Sequence, residues 1–169
     1  VVDTTAYRRI NPNGLIPTLQ DGDLTLWESN TIVRYLANRH PASCLMPVDA
    51  RRRFLAEQWM DWQQTTINRT SFDAFIQLIR TAADKRQDAL IEQSAARPAP
   101  LLDLLDAHLA QSPFLAGDDF SMADIPAGCE IHRWFGLPLE HPPRPHLQRW
   151  YAALQARPAS RGVLDQELR

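Results

Sequence analysis

Cysteine is almost missing from this sequence: Cys44 and Cys129 are the only two in 169 residues, in unrelated contexts and without metal-type spacing. That scarcity argues against a disulfide-stapled secreted scaffold and suits a reducing, cytoplasmic compartment. No apolar run approaches the ~18–20 residues that a spanning helix needs, so no membrane partner is expected. Charge of one sign is lacking as well. A formal net charge of −2 and scattered basic residues give no electrostatic case for nucleic acid. The one basic run, Arg51-Arg52-Arg53, reads as a solvated helix face. Glycine is scarce at six, and no internal repeat is visible. What is present, 44% hydrophobic and 22% charged residues with five tryptophans, describes a packed globular protein. The length admits one generous domain or two small ones.

The order of patterns favours two. Thr4 to Ile10 reads as a short helical turn entered by Asp3 or Thr4 and stopped by Asn11-Pro12. Leu15 to Leu19 is apolar enough for a strand, although Pro17 inside it cannot donate to a ladder. Asp21-Gly22-Asp23 predicts a tight turn, with Leu24 to Trp27 as the second strand. From Ser29 the apolar period lengthens. Ile32, Val33, Leu36 and Ala37 predict a helix to His40, with Ser29 as its cap. Pro41 to Pro47 loses all periodicity and reads as a linker. Beyond it every pattern is helical: Asp49 to about Arg80 as one long helix or two abutting ones, Asp84 to Ala110 broken at Arg97-Pro98-Ala99-Pro100, a third from Ser121, and a fourth over Pro145 to Ala156. The expected class is α+β, with residues 1–40, a linker at 41–47 and an all-helical domain at 48–169.

Three local constellations carry chemistry. Glu28-Ser29 stands at a helix entrance, where Ser29 is either a plain cap or, with the open N–H groups, a receiver of a ligand carboxylate beside a Glu28 that holds an ammonium. A group bearing both charges on one carbon would satisfy both residues. At Ile16-Pro17 a cis bond would turn the Ile16 N–H and C=O outward to pair with an extended peptide, and the sequence leaves the isomer open. In "FLAGDDFSMADI", Ser121 and Asp124 form a capping-box variant with Phe120 and Ile125 as a staple, read as folding machinery. His141 and His146 sit on a proline-rich loop without acidic or cysteine neighbours, so no metal is assigned. His132 reads as a polar edge on a packed helix, and Cys129 as inert apolar filling.

These residues together resemble a cytosolic glutathione transferase of the bacterial theta-like or nu-like type. "NPNGLIPTLQDGDLTLWESNTIVRYLA" is similar to the family's glutathione-site segment, "FLAGDDFSMADI" to its helical-domain capping motif and "RPHLQRWYAALQARPA" to its late helix. The resemblance implies a thioredoxin-like first domain and an all-helical second one. It implies that Pro17 is a cis-proline, that Ile16 offers backbone bonds to the cysteinyl unit of glutathione, and that Glu28 and Ser29 bind the γ-glutamyl end. One departure is Leu15, where many relatives carry a lysine for the glycyl carboxylate. The family's first strand, helix and strand, with the thiol-activating residue, have no counterpart here, so no catalytic residue is assigned. Roughly 35 to 50 residues, the size of a strand–helix–strand unit, are expected ahead of Val1, because two short strands leave an unpaired edge.

The function implied is attack by the glutathione thiolate on an electrophilic, mostly apolar small molecule held near Trp62, Thr66 and Arg69, in a homodimer joined through the Ser29 helix and the first long helix of the second domain. The rivals are a glutathione-dependent disulfide reductase and a non-catalytic binding or assembly module of the same fold.

Overall fold

Thr4 opens the first helix as predicted: its hydroxyl accepts from the Tyr7 amide at 3.2 Å, and α1 runs Thr5–Ile10. The computed structural model describes residues 2–169. After α1 come β1, Thr18–Asp21, and β2, Leu24–Trp27, antiparallel with Thr18 opposite Trp27 and Asp21 opposite Leu24. The first strand therefore starts later than the apolar run Leu15–Leu19 suggested. Pro17 lacks a donor and the ladder begins only beyond it. Gly22 adopts φ 62° in the turn, a left-handed value that costs glycine nothing.

Helix α2 is Ser29–Arg39, and here the structure corrects the predicted cap. Glu28 holds that place at φ 72°, its carbonyl accepting from the Ile32 amide at 3.0 Å. Ser29 is the first helical residue, and no side chain caps the helix. The connection that follows makes one tight turn, Pro41–Ser43, and its Leu45 carbonyl accepts from the Met122 amide at 2.8 Å. Asp49 caps α3, Ala50–Trp62, by accepting from the Arg52 amide at 2.9 Å. A π-turn over Gln63–Ile67 extends α3 before the chain breaks. The short α4, Phe72–Phe75, continues as a second π-turn to Arg80, so the predicted stretch is two helices.

Proline placement explains the next division. Helices α5, Asp88–Ala96, and α6, Ala99–Leu109, are separated at Arg97-Pro98, while Pro100 lies in the first turn of α6, where its missing N–H costs nothing. Helix α7 is Asp124–Phe135 and α8 is Pro145–Gln155. Among the described residues no strand follows Trp27, only the isolated bridge Phe114–Gly117.

The core lies in the helical region, where Met60, Leu102, Leu105, Leu109, Leu147 and Trp150 are fully buried. Helices α7 and α8 approach closely at Gly128, where a Cβ would stand 2.6 Å from Leu154 Cδ1. Helix α7 starts at Asp124, later than the predicted Ser121: Ala123 holds the cap position without a side-chain cap, and Ser121 closes the turn ahead of it, its carbonyl accepting from the Asp124 amide at 3.1 Å. The Asp124 carboxylate, fully buried, accepts from the amides of Leu115 and Ser121 at 3.0 and 2.9 Å, and from the Trp150 indole at 2.8 Å. Burial pushes its pKa above the usual carboxylate value, against the pull of those donors. Phe120 meets Phe114 edge-on, with ring centroids 6.0 Å apart. In residues 2–40, by contrast, only Asn11, Gly14, Asn30 and Ala37 are buried.

Candidate functional site at the junction of sheet and helices

Asn11 was read from sequence only as a helix stop, yet it organises the loop that follows. Its Nδ2 donates to the Leu15 carbonyl at 2.7 Å and to Thr18 Oγ1 at 3.2 Å, while its Oδ1 accepts from the Asn13 amide at 3.0 Å. Tyr7 adds a second brace: its hydroxyl donates to the same Leu15 carbonyl at 2.7 Å and lies 2.8 Å from Thr18 Oγ1. Within this frame the Ile16–Pro17 bond is cis. Ile16 is 76% exposed, and its N–H and C=O pair with nothing among the described residues. A free donor and a free acceptor thus stand side by side on an exposed edge.

Glu28 and Ser29 stand at the open end of α2. Both are exposed, and the Ser29 hydroxyl has no partner among the described residues. Glu28 is steadied from the helical region, since Gln64 Nε2 donates to its Oε2 at 3.1 Å. The neighbouring Asn30, buried, donates to the Met60 carbonyl at 2.9 Å and to Gln63 Oε1 at 3.2 Å. Arg34 completes the seam by pairing with Glu57 and, at 2.5 Å, with Asp61. Nothing in sequence announces these links, which join residues about thirty positions apart across two elements.

A cleft of about 280 Å³ opens beside Ser29 and Asn30, walled opposite by Gln63, Asn68, Cys129 and Arg133. Gln63 and Asn68, from the turn after α3, supply this wall, and Trp62, Thr66 and Arg69 do not line this cleft. The Glu130 carboxylate at its base is buried, accepting from Arg133 at 2.5 Å and from the Ser71 hydroxyl at 2.8 Å. Arg133 also donates to Asn68 Oδ1 at 2.7 Å, while its Nε is buried without a partner. Cys129 is exposed to the cleft and is not the core filling that its apolar neighbours suggested. Desolvation by its surroundings, and then the charge of Glu130, push its thiol above the ordinary value, which disfavours the thiolate.

His132 and His141 make structural contacts. His132 bridges the Tyr151 hydroxyl at 2.7 Å and the Gln166 carbonyl at 2.9 Å, tying the C-terminal segment to α7. The carbonyl can only accept, so His132 Nε2 donates to it. Tyr151 is pushed up to about 12 by burial and then by Cys129. His141 lies 3.1 Å from the Leu137 carbonyl with its ring edge-on to Trp134. Among the described residues no His, Cys, Asp or Glu cluster could hold a metal.

Comparison with known proteins bears on this arrangement. The profile of the glutathione S-transferase N-terminal domain matches residues 3–38, and that of the C-terminal domain matches residues 88–153. Glutathione S-transferase GstB of Escherichia coli K12 is 43% identical over 160 residues, covering 94% of this chain and 77% of that protein. The chain belongs to the glutathione S-transferase family. Glutathione S-transferase 3 of Zea mays is 34% identical over 169 residues, covering 90% of this chain and 72% of that one. The theta class glutathione S-transferase of Xanthomonas axonopodis pv. citri, solved with glutathione bound, superimposes with TM-score 0.93 at 48% identity, covering 98% of this chain and 80% of that one. The fold is accordingly that of the family, a small thioredoxin-like sheet-and-helix part followed by an all-helical part. No helix among the described residues is long and apolar enough to cross a membrane.

Proposed function

We propose that this protein is a glutathione transferase whose residues Ile16, Pro17, Glu28 and Ser29 hold reduced glutathione. The unpaired backbone of Ile16 carries the reading, because an extended peptide needs one donor and one acceptor at a single residue. The Ile16 N–H and C=O pair with the cysteinyl unit, and Pro17 fixes the turn that presents them. The γ-glutamyl carboxylate meets the uncapped start of α2 and the Ser29 hydroxyl. Its ammonium meets Glu28, which Gln64 holds in place. These residues bind and orient; the electrophilic, mostly apolar second substrate lies between the domains near Trp62, Thr66 and Arg69, and the glutathione thiolate attacks its carbon, forming a C–S bond as the bond to the leaving group breaks.

Residues 1–40 form the glutathione-binding domain, 41–47 the linker and 48–169 the helical domain. The protein works as a cytoplasmic homodimer through α2 and α3, a reading supported by the exposure of Phe54 (72%), Leu55 (40%) and Leu36 (39%). The test is retention on immobilised glutathione, followed by spectroscopic conjugation of a nitro-activated aryl halide. Retention and turnover are expected, both reduced in Ser29→Ala. Absence of retention would overturn the site, and retention without turnover on any electrophile would favour a binding module.

A further inference from the structure

Helix α1 buries none of its residues, so apolar packing alone does not hold it against the loop that follows. The ties are polar. Tyr7 and Asn11 lie one helical turn apart, joined by the Asn11 amide donating to the Tyr7 carbonyl at 2.9 Å, and both side chains reach the Leu15 carbonyl oxygen at 2.7 Å. The donors can be assigned. A carbonyl only accepts, so the single hydroxyl proton of Tyr7 is committed to Leu15. The Thr18 hydroxyl, 2.8 Å from the Tyr7 oxygen, is then the donor of that pair, and it accepts in turn from Asn11 Nδ2 at 3.2 Å. Two paths therefore lead from one amide to one oxygen, the direct bond and the relay through Thr18 and Tyr7. Donors in series polarise one another.

The carbonyl held in this way is half of a peptide unit whose other half is the Ile16 N–H. The cis bond lies one residue further on, so Leu15–Ile16 is a planar trans amide in which C=O and N–H point in opposite directions. Fixing the oxygen fixes the direction of the N–H. Two donors on that oxygen also draw electron density toward it, which makes the Ile16 N–H a stronger donor. Thr18, just past the cis turn, is tied to the same two side chains, so both ends of Leu15-Ile16-Pro17-Thr18 are held together. The exposed backbone of Ile16 is thus aimed from behind.

We propose that Tyr7 is a positioning residue for glutathione, acting through the Leu15 carbonyl to orient and strengthen the Ile16 N–H. The inference rests on the reading of Ile16 as the cysteinyl contact. Tyr7→Phe removes the hydroxyl alone, and Thr18→Val breaks the relay from the strand side. Tyr35→Phe, which removes a hydroxyl bound to Asp21 outside the relay, is the control. Glutathione is titrated calorimetrically into each protein, conjugation of the nitro-activated aryl halide is followed with either substrate varied, and the Ile16 amide is observed by NMR. Tyr7→Phe is expected to weaken glutathione about five- to tenfold and to raise its KM by a similar factor, leaving the KM of the aryl halide unchanged. Thr18→Val is expected to cost about threefold, and the double variant less than the product of the two. Glutathione is expected to move the Ile16 amide proton downfield in wild type and by less in Tyr7→Phe, a readout that a general loss of stability does not move. Tyr35→Phe should match wild type throughout. Wild type that fails to bind glutathione, or binds it without moving Ile16, would overturn the underlying reading and this inference with it. With Ile16 moved in wild type, an unchanged affinity in Tyr7→Phe, an equal loss in Tyr35→Phe or an equal rise in both KM values would overturn the role of Tyr7 alone. Melting curves verify folding, and if Tyr7→Phe does not fold, Thr18→Val decides by the same criteria.

Discussion

Residues 2–40 and the helical region are stabilised by different means. In the first, the few buried side chains include two asparagines, Asn11 and Asn30, and each uses its amide to hold a backbone carbonyl in place. In the second, leucine, methionine and tryptophan fill an interior in which Asp124 is the most buried charged side chain. Apolar packing supplies stability and tolerates small adjustments, whereas directional hydrogen bonds position a loop without contributing much energy. The small region is therefore built for placement and the large one for cohesion.

Substitutions can break that contrast. Asp124→Ala leaves the Leu115 and Ser121 amides and the Trp150 indole without their acceptor, and a loss of about 3–5 kcal/mol is expected in urea unfolding. Leu105→Ala, which opens a cavity in the centre of the helices, is expected to cost about 2–5 kcal/mol, with glutathione affinity per folded molecule preserved. In the small region the balance reverses. Asn11→Ala frees the Asn13 amide and removes one of the two braces on Leu15, so stability falls by only about 1–2 kcal/mol while glutathione retention is lost. If Asn11→Ala unfolds the protein as steeply as Asp124→Ala, the contrast fails. Ser29→Ala sharpens it further: a melting curve within experimental scatter of wild type, and glutathione affinity about tenfold weaker by calorimetry.

The smallest expected effect is one of pH. Asp124 is raised by burial, so the native state holds its proton more tightly than the unfolded chain does. The stabilisation from that proton is fully present below the unfolded carboxylate pKa, and it is lost as pH rises through the native value. Urea midpoints of wild type and Asp124→Asn, compared from pH 4 to 7, should show wild type losing more on the way up. Parallel profiles would mean that burial leaves this group unshifted.

Much of this was legible in the sequence because its signals are local. The helix entry at Thr4, the turn at Gly22 and the break at Pro98 each follow from a residue acting on its own backbone, and the structure has them where expected. The strand boundary at Pro17 and the cap at Glu28 slipped because hydrophobicity and cap preference are averages, while a proline lacking its donor and a glutamate at φ 72° are particular. At the candidate site, Ile16, Pro17, Glu28 and Ser29 could be named from motif and resemblance. Gln64, Asn30 and the second role of Asn11 could not, since each acts through a partner that only folding brings near. Cys129 was misjudged for a related reason: apolar neighbours in sequence do not reveal which side of a helix lies open.

The bond from the Met122 amide to the Leu45 carbonyl clasps the link between the two regions to the threshold of α7. The link is thereby anchored midway along its length and is not a free strap between its two ends. That anchor and the Asn30 amide held on the Met60 carbonyl fasten the start of α2 from two sides, so Ser29 is set by the helical region as much as by its own helix.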